Sequence, residues 1–155
     1  MEVTRCRLGN TSRQAASIGF EDFIPQKNWT PVFHAVYRGR EAALHHFLQT
    51  GVSPDAVESS GVPLLCIAAA CGHFEVAKIL LEAGAHVNLA SKEKSETALH
   101  VATRSSHHDL VDLLLVYRAD LEARTSHTGQ TALHYAAAGS SSLALVMKLL
   151  KFGAE

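Results

Sequence analysis

The chain has 155 residues, 47% of them hydrophobic, with 14 basic and 15 acidic side chains and a formal charge of −1. A chain of this length supports one stable domain that buries around two-thirds of its unfolded surface. Its charge balance excludes a whole-molecule field that would draw in nucleic acid or a membrane, and no run of about 18 apolar residues is present to span one.

Residues 1–27 resemble no later part of the chain and lack the long apolar stretch of a signal peptide. Thr11 followed by Gln14 reads as a capping box opening a short helix. Phe20, Phe23 and Ile24 read as apolar contacts that close the exposed edge of the segment beginning at residue 28. Cys6, Cys66 and Cys71 are an odd, sparse set rather than a disulfide framework, which points to a reducing compartment. With no basic cluster to suggest import, cytoplasm and nucleus both stand as intracellular residences.

From residue 28 the chain repeats itself. TPVFHAV (30–36), PLLCIAA (63–69), TALHVAT (97–103) and TALHYAA (131–137) begin 33, 34 and 34 positions apart. A second string, FLQTGVSPD (47–55), LLEAGAHVN (80–88), LLVYRADLE (114–122) and LLKFGAE (149–155), keeps the same beat. Two strings sharing one period predict a stack of units, at about 28–57, 58–90, 91–124 and 125–155, each burying its apolar face only against its neighbours.

Within a unit the signals order themselves. In the third copy Thr97 stands where a helix starts, its hydroxyl able to accept a first-turn N–H. Leu99, Ala102 and Thr103 point inward, and the two ring nitrogens of His100 tie the turn to the neighbouring unit. Ala35, Ala68, Ala102 and Ala136 share a small-residue column that permits close helix approach. The second helix is predicted over 108–116, with Leu110, Val111, Leu114 and Leu115 on one face. Gly39 and Gly72 end first helices; Gly51, Gly84 and Gly153 end second helices, where a left-handed residue is common. Arg118 takes that column in the third copy, at a cost of about 1 kcal/mol if the conformation is kept. Segments 52–62, 86–96 and 120–130 read as hairpin-like fingers; counted from Gly51, Gly84 and Arg118 to the next helix start, the second and third connections are one residue longer, which is placed at the tip. Phe33 and Cys66 stand in the histidine column, so side-chain bonding is expected to be absent there. The fourth copy holds an extra residue among 139–142, between its two helices, and its Val146, Leu149 and Leu150 face requires either further repeats or another cover.

The TALH-x-A strings at 97–102 and 131–136, with the Leu80, Leu81, Gly84 and Ala85 ending, resemble the ankyrin-repeat family over residues 28–155. The resemblance implies an all-α solenoid of stacked helix-turn-helix pairs linked by β-hairpin-like fingers. It also implies a continuous concave surface lined by fingers and first helices, which binds a partner protein. Carried over by column, that surface comprises Tyr37, Arg38, Ala70, Cys71, Arg104 and Ser105, then Ala138 and Gly139, on the helices. On the fingers it comprises Ser59, Ser60 and Val62, then Glu93, Lys94 and Glu96, then His127, Thr128 and Gln130. Tyr and Arg are enriched in binding hot spots, so Tyr37 and Arg38 lead, with Arg104 next. Asn88 holds the position of family asparagines that an oxygenase hydroxylates; its chemistry points instead to a bond with its own turn.

Catalytic and metal signals are weak. Ten histidines are present, but His45–His46 and His107–His108 are adjacent pairs facing different sides of a helix, and the zinc-type His-x-x-x-His spacing is missing. Cys66 and Cys71 lie five apart and read as inert thiols. No nucleophile elbow, phosphate loop or dinucleotide fingerprint appears. The expected role is a non-catalytic interaction module without cofactor or metal, a scaffold or substrate-recruiting adaptor. Two alternatives stand beside it. One is a stand-alone inhibitor resembling the ankyrin inhibitors of cyclin-dependent kinases, whose second repeat has a shortened helix while copy two here is full. The other is the regulatory arm of an enzyme encoded beyond residue 155.

Overall fold

The computed structural model describes residues 30–138 and 143–153. The expectations for residues 1–27, and for the extra residue among 139–142, lie outside the described residues. Eight helices follow in pairs: α1 (Pro31–Tyr37) with α2 (Glu41–Gln49), α3 (Leu64–Cys71) with α4 (Phe74–Glu82), α5 (Ala98–Arg104) with α6 (His108–Val116), and α7 (Ala132–Ala138) with α8 (Leu143–Phe152). Among the described residues there is no strand, only an isolated antiparallel bridge between Val57 and Pro63 in the first finger. No described helix is long and apolar enough to cross a membrane.

The first helices form the inner row, α1 against α3, α3 against α5 and α5 against α7; α2, α4 and α6 pack as a second row. Composition explains the division. Leu64 through Ala70 of α3 are all buried, because that helix meets α1, α4 and α5 at once. A short helix that is apolar all round is stable only when enclosed. The column Ala35, Ala68, Ala102 and Ala136 is buried throughout and leaves room for this spacing. The outer helices keep one apolar stripe: Val76, Ala77, Ile79, Leu80 and Leu81 of α4 are buried while Glu75 and Glu82 face water. Each fully buried leucine in these rows contributes about 1.5–3 kcal/mol relative to exposure.

The fingers stack through the backbone. Lys92 N–H donates to Gly61 O (3.0 Å), and Ser126 N–H donates to Lys94 O (3.0 Å). The tip turn spans 59–60 in the first finger and 92–94 and 126–128 in the next two. The longer period is therefore absorbed in the tip turn itself.

Left-handed residues mark the joints. Gly39 (φ 66°) and Gly72 (φ 73°) have a second duty. A Cβ on them would lie 2.9 Å from the His73 ring and 2.6 Å from the His107 ring, side chains of the following repeat. Among the described residues, three non-glycines take positive φ: Ser95 (52°), Ser106 (58°) and Arg118 (59°). All belong to the third repeat, and each stands in a column that other repeats fill with glycine. We expect Arg118→Gly to raise the free energy of unfolding by up to about 1 kcal/mol and Arg118→Ala to leave it nearly unchanged. Urea titration measures both; a midpoint that fails to rise would locate compensating contacts on the arginine.

Candidate binding surface

The interior of the stack decides which side chains remain available outside it. His100 is 1% exposed and closes the first turn of α5 in a reciprocal capping box with Thr97. Its Nδ1 accepts from Thr97 N–H (3.2 Å) and lies 2.9 Å from the Thr97 hydroxyl. Its Nε2 faces two carbonyls of the next finger, Ala123 O (3.0 Å) and Gln130 O (3.2 Å). Two carbonyl acceptors require the proton on Nε2, so Nδ1 is the acceptor and the ring is neutral. Burial pushes this imidazole below its ordinary pKa, while the Gln130 and Ala123 carbonyls pull the other way.

Cys66 performs the same task in the second repeat, contrary to the expectation that bonding is lost there. Its Sγ lies 3.9 Å from Leu89 O and 3.7 Å from Glu96 O, the counterparts of Ala123 and Gln130. A thiol is a weak donor that reaches the same pair of acceptors. Burial, reinforced by the nearby Glu96 charge, pushes its pKa up to about 12, so it stays protonated and donating.

A second histidine column, not foreseen as a contact, works in the opposite direction. His73 Nε2 donates to Tyr37 O (3.0 Å) of the preceding repeat. His107 sits likewise over Gly72. Its Nε2 is shielded without a hydrogen bond of normal geometry; burial lowers its pKa and the Ala70 carbonyl opposes that shift. The signal is present in the sequence: His73 and His107 lie 34 apart, each opening a second helix.

Charge is held inside as well. Glu96 is 5% exposed and accepts from Arg104 Nη1 and from the Tyr135 hydroxyl (3.0 Å). The Arg104 guanidinium lies 5.9 Å from the centre of the Tyr135 ring. Three residues from a finger, α5 and α7 thereby bind repeats three and four together. Burial and the Glu96 carboxylate raise the Tyr135 pKa.

These facts sort the expected surface residues. Arg38, Ser59, Ser60, Glu93, His127, Thr128 and Ala138 are exposed. Tyr37, Val62, Cys71, Lys94, Ser105 and Gln130 are half-buried; Gly139 lies outside the described residues. Ala70 and Glu96 require correction: Ala70 is enclosed within the inner row at 1% exposure, and Glu96 is turned inward onto Arg104. Arg104 itself, with 16% of its side chain exposed, is engaged within the stack and is demoted as a lead contact. Asn88 also departs from expectation. Its Oδ1 accepts from Asp120 N–H (2.7 Å) of the next finger rather than from its own turn. Asp55, in the same column, accepts from His86 N–H (2.7 Å) and from the His86 ring. Its partial burial would raise its pKa, but the His86 bonds outweigh that and hold it below the usual carboxylate value. Among the described residues, no group of three or more His, Cys, Asp and Glu side chains converges on a metal-sized site.

Acid and mutation both probe this interior. His100 and His107 have folded pKa values below the ordinary histidine value of 6.5, so below that pH the unfolded chain binds more protons. Their contribution is complete above about pH 6.5 and is lost as pH falls toward the lowered folded values, at up to about 1.4 kcal/mol per unit and histidine. Thermal melts from about pH 7.5 down to about pH 5 are expected to fall, with His100→Gln flattening the slope. Removing one partner of a buried ion pair strands the other charge, so Glu96→Ala is expected to cost about 3 kcal/mol. Glu96→Ala with Arg104→Ala should recover more than about 1 kcal/mol of that, read by a double-mutant cycle in urea.

Residues 12–91 and 87–155 match the family profile described as ankyrin repeats (3 copies); the match begins inside the 1–27 segment. The chain is also 34% identical over 71 residues to the Ankyrin repeat protein nuc-2 of Neurospora crassa, an alignment covering 46% of this chain and 6% of that protein. The chain therefore spans only a small part of that relative's length. The paired helices, the Thr97–His100 turn with its carbonyl partners in the next finger, and a profile match over most of the sequence agree: this chain belongs to the ankyrin-repeat family.

Proposed function

We propose that the chain is a non-catalytic protein–protein interaction module, a scaffold or substrate-recruiting adaptor that binds a partner protein on its concave face. Ankyrin repeats are generally interaction modules. The observation that carries the reading here is the backbone bonding of finger to finger, Lys92 to Gly61 and Ser126 to Lys94. A surface already ordered before binding loses little entropy on complex formation. Tyr37 and Arg38 are the lead contacts, with Ser59, Ser60, Glu93, Lys94, His127 and Thr128 supplying polar groups along the fingers. Finger charges of both signs, Glu93 beside Lys94, fit a protein partner better than a polyanion. The inhibitor alternative is disfavoured, since α3, at 8 residues, is the longest of the four first helices.

The combined change Tyr37→Ala and Arg38→Glu is expected to weaken binding of a partner captured from native lysate by at least about tenfold. Tyr37 packs partly against the core, so the double variant is expected to melt a few degrees lower, and affinities are compared well below both transitions. Unchanged affinity for each captured protein, measured by calorimetry, would remove the concave-face assignment.

A further inference from the structure

The outer row changes character along the stack. Second helices end in corresponding sets of three residues: Gln49-Thr50-Gly51, Glu82-Ala83-Gly84, Val116-Tyr117-Arg118 and Lys151-Phe152-Gly153. The first two sets are polar or small, whereas the third is apolar, aromatic and basic. Val116 is 72% exposed, Tyr117 36% and Phe152 51%. The third repeat has a neighbour on each side, so an uncovered end of the stack does not account for Val116 and Tyr117. Their two columns face outward in all four repeats.

These side chains stand together. Lys148 Nζ of α8 donates to Asp112 Oδ2 of α6 (2.6 Å), which sets the outer faces of the two helices side by side. Val116 lies one turn beyond Asp112 and Phe152 one turn beyond Lys148, so both continue those faces. Basic charge borders them. Arg118 and Lys151 are exposed, and neither has an ion pair among the described residues. Arg118 also holds a left-handed backbone (φ 59°) in the column of Gly51, Gly84 and Gly153. Glycine, which costs least in that conformation, has given way there to a guanidinium next in the chain to Val116 and Tyr117. Acidic groups lie around the rim as well. Glu82 fills the Val116 column on the side of repeat two, Lys148 holds Asp112, and Asp120 Oδ1 accepts from Glu122 N–H (2.9 Å).

We propose that Val116, Tyr117 and Phe152, rimmed by Arg118 and Lys151, form a docking surface for an amphipathic helix of a partner protein, one whose aliphatic side chains are flanked by carboxylates. The aliphatic groups cover the exposed apolar area. The carboxylates meet Arg118, whose planar fork suits them, and Lys151. Glu82, Asp112 and Asp120 disfavour an anionic lipid surface in the same place. This surface lies on the outer row, apart from the concave face, and does not depend on that reading.

The test uses the 155-residue chain and two synthetic helical peptides. Both have about 16 residues with leucines at i, i+3, i+4 and i+7 spacing; glutamates flank the leucines in one and lysines in the other. The glutamate peptide is expected to bind at least about fivefold more tightly at low salt, and Arg118→Glu with Lys151→Glu to reverse that preference. Val116→Glu, Tyr117→Ala and Arg118→Gly together install the set found at 82–84. This triple change should weaken the glutamate peptide by at least about tenfold, compared well below both melting transitions. The charge reversal keeps the apolar residues and so reads the surface even where the triple change disturbs folding. The proposal is overturned if the glutamate peptide fails to bind at about millimolar concentration, if the two peptides bind alike, or if the triple variant binds as the parent does. It is equally overturned if the triple change abolishes binding to phosphatidylserine–phosphatidylcholine vesicles or dissociates a sedimenting dimer, since lipid or a second copy would then be the occupant.

Discussion

Enclosure of the inner helices is the constraint on which the other features depend. Helix α3 has no polar face to turn toward water, and seven of its eight residues are buried. Isolated helices of 7 or 8 residues do not persist in water, so each first helix depends on the helices packed against it. That dependence sets the rest. The alanine column is small because backbones must come close, and Gly39 and Gly72 lack a Cβ because an imidazole of the next repeat occupies its place. The polar groups trapped between repeats must find partners across the joint, because an unpaired buried group costs about 1–3 kcal/mol.

Two kinds of fastening meet that demand, and they run in opposite directions along the stack. The column of Cys66 and His100 reaches forward to carbonyls of the following finger, while His73 reaches back to the end of the preceding first helix. The Glu96–Arg104–Tyr135 cluster adds a charged tie between repeats three and four. The surface proposed for binding is built on such joints, and that is where packing bears on the proposed recognition. Among the described residues the third repeat also concentrates the costs: three left-handed non-glycines, and the buried Thr103 Oγ1, Arg104 Nε and His107 Nε2, which lack a hydrogen bond of normal geometry.

Much of the architecture is legible in the sequence because it depends on spacing. The span of α6, the glycine joints and the inward positions of Leu99, Ala102 and Thr103 derive from residue type and a period near 34. The surface is less legible, since a column locates a backbone and leaves side-chain direction open. Glu96 sits in a finger yet turns inward, drawn by Arg104 from the next helix, a pairing across eight residues that no helical or strand rule predicts. Ala70 shares its column with Tyr37 and Arg104, but its methyl group ends inside the inner row. Cys66 escapes a reading by residue type because a thiol looks a poor substitute for imidazole, although burial preserves its one proton.

That substitution gives two otherwise similar joints different chemical temperaments. Between repeats three and four the fastening is an imidazole, which acidity can convert into a cation whose Nδ1 proton faces the Thr97 N–H. Between repeats two and three it is a sulfhydryl, indifferent to mild acid but vulnerable to oxidants whenever a transient opening admits them. Weathering in an acidifying vesicle and weathering under peroxide would thus begin at different rungs of the same ladder.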